Sequence, residues 1–514
     1  MYLFFIKESG MNKKKWAIIG SSVGVVALAG ATVLVLLLNR VKTIPYLEDT
    51  KFIANYTYKN QPTMGVGDPY LFTDNGKYYF TGTNDGVSYN LRMSEDLKTW
   101  KPVGKIFSKE SEGAWGTKEY WQPQVLKGPD GLYYLYYCAH YPPSGFSRIG
   151  VAVCDTVDGD YKEVHGKPLF DPGYSVIDPH VFIDDDGQIY MYFSRGVSQN
   201  VVNGIKTSQI YVVKMKSMTE LADDAEYVLL TTPTQSWETQ SSGTRWNEGP
   251  DILKHDGKYY LFMSANNFAT RNYSMGYAVS DSPMGPFTKA EDNPVLATPQ
   301  KLISGTGNNS FFYSVDGKEL FTAYHAHRFP DNPSGNRVLY IDRCGWREDG
   351  TFYINGPTIS PQPQVSGESA LERVTAEAFT VKASSSAEGY QPENAYNGQI
   401  GIHTRLATYE WMAAEEDDDP YWELTFSKPQ ETDALFLYSS AVEKRRPVSY
   451  DVIINGKTVY SEVPAKASPG EASILKLEET VKVKSVRVVP HDRGEAEHFG
   501  FSDVQLFHIG TESE

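Results

Sequence analysis

Short apolar strands joined by tight turns recur along most of the chain. Five times, an apolar strand leads into a glycine-containing turn and then into a second strand, which is aromatic-rich in four of the five cases. The turns are Asp74-Asn75-Gly76, Pro129-Asp130-Gly131, Asp185-Asp186-Gly187, His255-Asp256-Gly257 and Val315-Asp316-Gly317. Asn-Gly and Asp-Gly between such strands are strong hairpin signals. The pattern therefore predicts five β-hairpins.

The hairpins are spaced as repeating units. Their turn glycines lie 55, 56, 70 and 60 residues apart, and further strands follow each hairpin. This makes about four strands per unit, which is the composition of a propeller blade. The spacing therefore predicts a five-bladed β-propeller over residues 63–360.

The flanking segments do not continue this repeat. Residues 39–62 precede it as a linker or lead-in, and residues 361–370 follow it as a linker rich in proline, serine and glycine. Residues 371–514 contain alternating strands without the hairpin spacing, which is typical of a separate β-sandwich. The predicted fold class is all-β, a propeller followed by a sandwich.

The N-terminus carries an apolar segment. Residues 17–38 form a run of 22 residues without a charge, long enough as a helix to cross a bilayer. Lysines 13–15 precede it, so the positive-inside rule places residues 1–16 in the cytoplasm. This predicts a single-pass cell-membrane protein whose predicted propeller lies outside the cell. A cleaved signal is the alternative, because Ala27-Leu28-Ala29 resembles a cleavage site, and the protein would then be secreted.

The net charge of the chain limits the classes of partner that it can bind. The chain has a formal net charge of −16, whereas nucleic-acid binding requires a positive surface. Nucleic acid is therefore excluded as a partner, and we expect a monomer. The 35 tyrosines, 24 phenylalanines and 43 glycines agree with aromatic strands and tight turns.

Polar residues occupy the start of each unit. Nine positions before the turn glycine, units two to five have Gln122, Asp178, Glu248 and Asn308, while Asp68 lies eight positions before Gly76. The innermost strands of a propeller surround its axis, so equivalent positions form a ring at one mouth. Three acids and two amides are therefore predicted to face one another there.

Such a ring suits glycoside hydrolysis. One acid must protonate the leaving oxygen while another activates water or attacks the sugar. Repulsion and burial are expected to raise the pKa of one of these carboxyls and to leave that of another low, which separates the acid from the base. Trp121, Trp246 and Phe80 are predicted as walls for a sugar ring, and Gln122 and Asn308 as further substrate contacts.

The phrases that contain the acids resemble glycoside hydrolase family 43. They are GDPYLF, IDPHVF and WNEGPDIL, and the resemblance covers roughly residues 63–357. It implies an inverting enzyme of the β-xylosidase, α-L-arabinofuranosidase or arabinanase type that requires no cofactor. It also implies that Asp68 is the general base, Glu248 the general acid and Asp178 the carboxylate that orients the acid and tunes its pKa. Arg337 matches the family's sugar-contacting arginine.

One departure leaves a metal site open. Many relatives have a histidine where this chain has Asn308, in Gly307-Asn308-Asn309-Ser310. The family often places that histidine near the pocket floor or a central metal. A structural calcium ion therefore stays an open alternative, with His327 as the candidate ligand. A hydrogen-bonded core histidine is the competing interpretation.

The resemblance leaves the substrate open. It implies plant cell-wall polysaccharides or oligosaccharides that contain arabinose or xylose. The long segment between units three and four is expected to favour cutting at chain ends, with endo-arabinanase action as the alternative. A non-catalytic surface carbohydrate-binding protein is the other candidate. ENAYNG and DPYWELTF resemble a galactose-binding, discoidin-type sandwich, which implies a carbohydrate-binding module over residues 371–514.

Overall fold

The computed structural model describes residues 44–60, 63–241, 243–297, 302–367, 371–402, 406–492 and 494–510. The predicted anchor at residues 17–38 lies outside these ranges. Within them, no helix is both long and apolar enough to cross a bilayer.

Strands make up most of the regular structure, and the all-β prediction is confirmed. A short α-helix, Thr50–Tyr56, begins where the Asp49 carboxylate accepts the N–H groups of Lys51 and Phe52 at 3.0 and 2.9 Å. The carboxylate satisfies donors that the first turn leaves free. Single 3₁₀ turns lie at Val197–Gln199, Ser236–Thr239, Pro392–Tyr396, Ala407–Tyr409 and Glu443–Arg445.

Each predicted hairpin belongs to its own antiparallel sheet. The first sheet contains Gly67–Asp74, Lys77–Thr83, Ser88–Ser94 and Lys101–Ser108; the second contains Trp121–Lys127, Tyr133–Tyr141, Phe146–Cys154 and Lys162–Glu163. The third contains Val176–Ile183, Ile189–Arg195, Gln209–Ser217, Glu220–Leu221 and Val228–Thr231. The fourth contains Asn247–His255, Lys258–Ala265, Ser274–Ser280 and Thr288–Lys289; the fifth contains Gly307–Tyr313, Leu320–His327, Arg337–Trp346 and Phe352–Ile354.

Polar contacts near the first strands join the five sheets in order. Each sheet contacts the next one along the chain, and the fifth contacts the first. The contacts are Gln122 N–H to Thr83 Oγ1 at 3.0 Å, Val181 N–H to Gln124 Oε1 at 2.6 Å, His180 Nε2 to Asp251 Oδ1 at 3.4 Å, Asn308 N–H to Ser264 Oγ at 2.7 Å and Leu71 N–H to Ser310 Oγ at 2.9 Å. These contacts therefore fix the positions of the five first strands relative to one another.

A smaller sheet lies beside the fourth sheet. Its strands are Val201–Val202, Ile205–Thr207 and Thr244–Arg245, and Thr207 pairs with Arg245 in parallel. Arg245 comes three residues before Glu248. The insertion between the second and third strands of the third sheet therefore pairs with the segment that leads into Glu248.

The C-terminal part forms one further sheet of nine strands. Trp411, Trp422 and Phe501 are fully buried in it, and both tryptophans meet Phe501 edge to face, at 5.4 and 5.5 Å. Because strand pairing is continuous through all nine strands, the two-layer sandwich stays a prediction. The strands are Ile44–Pro45, Leu371–Arg373, Phe379–Ala383, Trp411–Met412, Trp422–Ser439, Ser449–Ile454, Lys457–Pro464, Ala472–His491 and Gly500–Ile509.

The two segments predicted as linkers are packed. Thr57–Tyr58, in the predicted lead-in, pairs with Gln362–Pro363, in the second predicted linker. Gln362 is buried, and the Tyr438 hydroxyl of the nine-stranded sheet donates to its Oε1 at 3.2 Å. Asn355, after the fifth sheet, also donates to the Gly398 carbonyl at 2.8 Å. The C-terminal sheet is therefore docked directly on the preceding part of the chain.

Candidate active site

The first strand of each sheet begins with the same backbone irregularity. Strand pairing skips two residues there, and the first skipped residue has a positive φ in every sheet. Aspartate, asparagine and glycine tolerate this conformation best. These residues are Asp68 (φ 47°), Gln122 (34°), Asp178 (57°), Gly249 (61°) and Asn308 (51°). Five equivalent positions therefore exist, as the repeat predicted.

The fourth position was assigned one residue too early. The structure places Gly249, not Glu248, in register with Asp68 and Asp178. The hairpin length explains the error: Asp74 pairs with Lys77 and His255 with Lys258, so both hairpins have two-residue turns, whereas the other three have longer loops. A count of nine suits the longer loops only. Glu248 precedes the irregularity and pairs with Ser264.

Gly249 should tolerate no side chain. An added Cβ would lie 2.9 Å from Asn308 Oδ1, and the positive φ disfavours any other residue. We expect Gly249→Ala to lower the free energy of unfolding by about 1–2 kcal/mol and kcat at least about tenfold, because Asn308 would shift. Thermal unfolding and steady-state kinetics of the variant test these two expectations.

Gly257→Ala is the matched control. Gly257 has a φ of 75° in the turn at the far end of the same strand, and an added Cβ there meets nothing within 4 Å. We expect a similar loss of stability with unchanged kcat. Equal losses of kcat in both variants would contradict the role given to the space beside Gly249.

The Asp68 carboxylate accepts two hydrogen bonds from residues of the fifth sheet. Its Oδ1 atom accepts from Arg337 Nη1 at 2.5 Å and from Asn308 Nδ2 at 2.9 Å. Its own N–H donates to His325 Nδ1 at 3.2 Å. The residue is only 8% exposed. The carboxylate is therefore held in one orientation by a cation and an amide.

Arg337 lies beside the candidate base, and its predicted contact with a sugar stays a prediction. Its guanidinium sits over the Phe268 ring at 4.8 Å, and Phe268 itself is 39% exposed. A Cβ on Gly67 would come within 2.1 Å of the guanidinium, so only glycine fits there. Phe268 is absent from the predicted walls, because it lies in a loop without a periodic pattern.

The other two acids lie together. The N–H of Gly249 donates to Asp178 Oδ2 at 3.1 Å, and the Tyr273 hydroxyl donates to Glu248 Oε1 at 3.1 Å. Burial raises the pKa of both carboxyls. The charge of Asp68 raises the pKa of Asp178 further, and the charge of Asp178 does the same for Glu248. Asp178 contributes as expected, but burial is the larger cause for Glu248.

The two amides of the ring differ in what they contact. Asn308 donates to Asp68, so its side chain supports the candidate base. Gln122 is also buried, but its Oε1 atom has no hydrogen-bond partner in the part of the chain that the structure describes. Gln122 thus keeps an acceptor atom that the described residues do not use.

Of the three predicted aromatic walls, Phe80 is misplaced because it is buried, and Trp121 and Trp246 stay predictions. Trp121, directly before Gln122, is 36% exposed, and Trp246, two residues before Glu248, is half-buried. Phe80 is only 4% exposed and packs edge to face on Trp100 at 4.7 Å within the core that contains Leu71. Alternate strand residues face opposite sides, and Phe80 faces the core.

His327 does not have the free nitrogen that a metal ligand requires. Its Nε2 lies 2.8 Å from the Phe268 carbonyl, which can only accept, and its Nδ1 lies 2.9 Å from Ser304 Oγ. Burial lowers its pKa. The prediction of a metal role is wrong, because both ring nitrogens are already hydrogen-bonded. Across the described ranges, no group of three or more histidine, cysteine, aspartate or glutamate residues is placed to hold a metal ion. His327 offers only nitrogen atoms, both already hydrogen-bonded, and does not fit calcium, which prefers six to eight oxygen ligands.

Comparison with known proteins identifies the sheet-forming region. The family model "Glycosyl hydrolases family 43" matches residues 62–352, more than half of the chain. A second model, a domain of unknown function (DUF7402), matches residues 374–507. The two matches divide the chain near the segment that joins the fifth sheet to the nine-stranded sheet.

Individual relatives agree with the family match. "Beta-D-galactofuranosidase xynD" of Aspergillus niger is 28% identical over an alignment of 305 residues, and the match covers 55% of this chain and 80% of that protein. "Extracellular endo-alpha-(1->5)-L-arabinanase 2" of Bacillus subtilis is 24% identical over an alignment of 382 residues, and the match covers 61% of this chain and 76% of that protein.

A solved structure described as a thermostable family-43 glycoside hydrolase is 40% identical, with a TM-score of 0.56, over 60% of this chain and 99% of that one. Sequence match, fold and the clustered carboxyls agree. The chain belongs to glycosyl hydrolases family 43 and is a glycosidase.

Proposed function

We propose that this protein is an inverting glycosidase that releases arabinose or xylose units from plant cell-wall polysaccharides or oligosaccharides. Asp68 acts as general base, Glu248 as general acid, and Asp178 as the carboxylate that tunes the acid. The observation that carries the proposal is the cluster itself: burial and the charge of Asp68 raise the pKa of Asp178, and burial and the charge of Asp178 raise the pKa of Glu248 well above its ordinary value.

The five sheets form the blades of a propeller. The chain of sheet-to-sheet contacts, from Gln122–Thr83 round to Leu71–Ser310, supports this arrangement. It places the five positive-φ positions around one axis. The cluster then lies at the mouth of the central funnel, which is where a sugar can reach it.

The chemistry follows from the partners of each acid. Protonated Glu248 transfers its proton to the glycosidic oxygen as the bond from that oxygen to the anomeric carbon breaks. A water molecule forms the new bond to that carbon from the opposite face and loses its proton to the Asp68 carboxylate. Arg337 and Asn308 hold the Asp68 carboxylate for this step.

The pocket walls favour a chain end. Trp121 and Phe268 expose aromatic surface near the acids, and Gln122 offers an acceptor for a sugar hydroxyl. The small sheet that contains Ile205–Thr207 and Thr244–Arg245 lies beside the strand of Glu248, where it limits the room for a long glycan. Internal cleavage is the second candidate, because one curated relative is an endo-arabinanase.

Product configuration tests the proposal. Purified protein is incubated with aryl α-L-arabinofuranosides, β-D-xylosides and β-D-galactofuranosides. At the earliest time points we expect NMR to show that each sugar released has the inverted anomeric configuration. The last substrate is included because of the galactofuranosidase relative. Retained configuration would refute the mechanism. Turnover of the galactofuranoside alone would refute the pentose assignment while leaving the mechanism intact.

The pH profile should depend on Asp178. Activity requires protonated Glu248, so it falls as pH rises through the pKa of that residue. The charge of Asp178 raises this pKa, so we expect Asp178→Asn to move the alkaline limb of kcat/KM to lower pH, by about one unit. Asp184→Asn is the control, since Asp184 pairs with Lys254 away from the cluster. An unmoved limb in Asp178→Asn would contradict the tuning role.

Location and the C-terminal sheet complete the proposal. We place the enzyme outside the cell, which agrees with the extracellular naming of the arabinanase relative. Residues 17–38 act as a membrane anchor, with a cleaved signal as the alternative, and residues 371–514 act as a carbohydrate-binding module. Immunoblots of membrane and medium fractions test the anchor.

Pull-down by insoluble xylan and arabinan, with and without residues 371–514, tests the module. The monomeric state stays a prediction.

A further inference from the structure

A buried tyrosine lies against the candidate acid. The Tyr273 hydroxyl donates to Glu248 Oε1 at 3.1 Å, and the residue is 0% exposed. Its backbone is fixed as well: its N–H donates to the Thr270 carbonyl at 3.2 Å, and the Asn266 amide donates to the Asn272 carbonyl at 2.9 Å. A phenol in a defined position therefore faces one oxygen of the Glu248 carboxyl.

The same ring connects to the candidate base. Tyr273 stacks on His325, with ring centroids 5.4 Å apart and planes 4° from parallel. His325 Nδ1 accepts the N–H of Asp68, so that nitrogen carries no proton. A Cβ on Gly307 would lie 2.7 Å from the Tyr273 ring, so only glycine permits the stack. The stacked pair therefore connects the two acids: Tyr273 donates to the Glu248 carboxyl, and His325 accepts from the Asp68 backbone.

We propose that Tyr273 is a positioning residue for Glu248, and that its hydroxyl directs the acid's proton toward the leaving group. Because Oε1 accepts the phenol hydrogen, the proton of the neutral acid resides on Oε2. Oε2 is then the oxygen that delivers the proton to the glycosidic oxygen. The inference rests on the proposed role of Glu248 as the acid, and it adds a residue that the repeat pattern does not reveal.

The charges around Glu248 set the sign of the expected effect. Asp178 from the third sheet and Asp68 from the first raise its pKa, in addition to burial. Arg337 from the fifth sheet and the Tyr273 hydroxyl from the fourth lower it. Removing the hydroxyl should therefore raise the pKa of Glu248 and move the alkaline limb of activity to higher pH. Simple structural damage would lower activity without moving that limb.

Tyr273→Phe tests the inference through leaving groups and pH. We expect kcat/KM to fall about tenfold on glycosides with alkyl or sugar leaving groups, which need the proton, and less than about twofold on dinitrophenyl glycosides, which do not. The alkaline limb should rise by about half a pH unit to one unit. Tyr192→Phe is the control: Tyr192 is also 0% exposed, and its hydroxyl donates to the Pro283 carbonyl at 2.8 Å.

The outcomes separate this inference from the proposed function. An equal loss on all leaving groups, or an unmoved limb, overturns the role of Tyr273 if Glu248→Gln still shows leaving-group dependence. If Glu248→Gln shows none, the assignment of the acid itself fails. Should Tyr273→Phe unfold, 3-fluorotyrosine at position 273 keeps the ring and makes the phenol a stronger donor. The limb should then move to lower pH, and an unmoved limb overturns the proposal.

Discussion

Glu248→Gln should reduce kcat/KM on oligosaccharides by about a thousandfold, within the range that general acid–base groups contribute. The amide keeps the shape of the side chain and can still accept from Tyr273, but it has no proton to transfer. Substrates whose leaving groups need no protonation should lose about tenfold or less. The alkaline limb of the pH profile should disappear, because the group that produces it is gone. Steady-state kinetics with a series of aryl and alkyl glycosides measures both effects.

Glu163→Gln is a matched control for that variant. Glu163 is buried in the second sheet, burial raises its pKa to about 7, and its carboxyl accepts from the Tyr137 hydroxyl. The substitution therefore removes a second buried acid that lies outside the cluster. We expect it to alter thermal stability but to leave the dependence on the leaving group as in the unmodified enzyme. A uniform loss in Glu248→Gln would assign the acid's role to another residue.

Asp68→Asn should have the largest effect, a loss of about 10⁴-fold in kcat that is the same for every leaving group. Without the carboxylate, no group accepts the proton of the attacking water, and that step is needed whatever leaves. The variant also leaves the largely buried Arg337 guanidinium without its carboxylate partner. The free energy of unfolding should therefore fall by about 1–3 kcal/mol, which denaturant titration measures.

Asp74→Asn is the control for Asp68→Asn, because Asp74 ends the same strand at the far side of the sheet. Its Oδ2 atom accepts from the Tyr133 hydroxyl at 2.9 Å. We expect a small loss of stability and unchanged kcat. A loss in Asp68→Asn that depends strongly on the leaving group would contradict the role of Asp68 as base.

The sequence predicts most of this fold because its signals are local. An Asp-Gly or Asn-Gly turn between apolar strands specifies a hairpin through nearby dihedral angles, and all five such turns lie in separate sheets. The positive-φ positions show a related signal, because Asp68, Asp178 and Gly249 each precede a proline. That signal marks the register of Gly249 correctly, whereas counting from the turn does not, since turn length varies between the hairpins.

Other errors concern side-chain surroundings. Phe80 has the composition of a sugar-stacking residue, but its burial against Trp100 depends on how the first and fifth sheets pack. His327 looks like a ligand until Ser304 and the Phe268 carbonyl occupy its nitrogens. Such contacts join residues far apart in the chain, and no local pattern encodes them.

The sequence by itself determined the all-β class, the five hairpins, the family and the three acids, because each depends on residue types at short spacing. Tertiary structure alone decided which partner each acid has: Arg337 on Asp68, the Gly249 N–H on Asp178 and Tyr273 on Glu248. The physical reason is that ionisation depends on burial and on charges brought together from different sheets. The pKa of Glu248 is raised only in that assembled environment, on which its proposed role as proton donor depends.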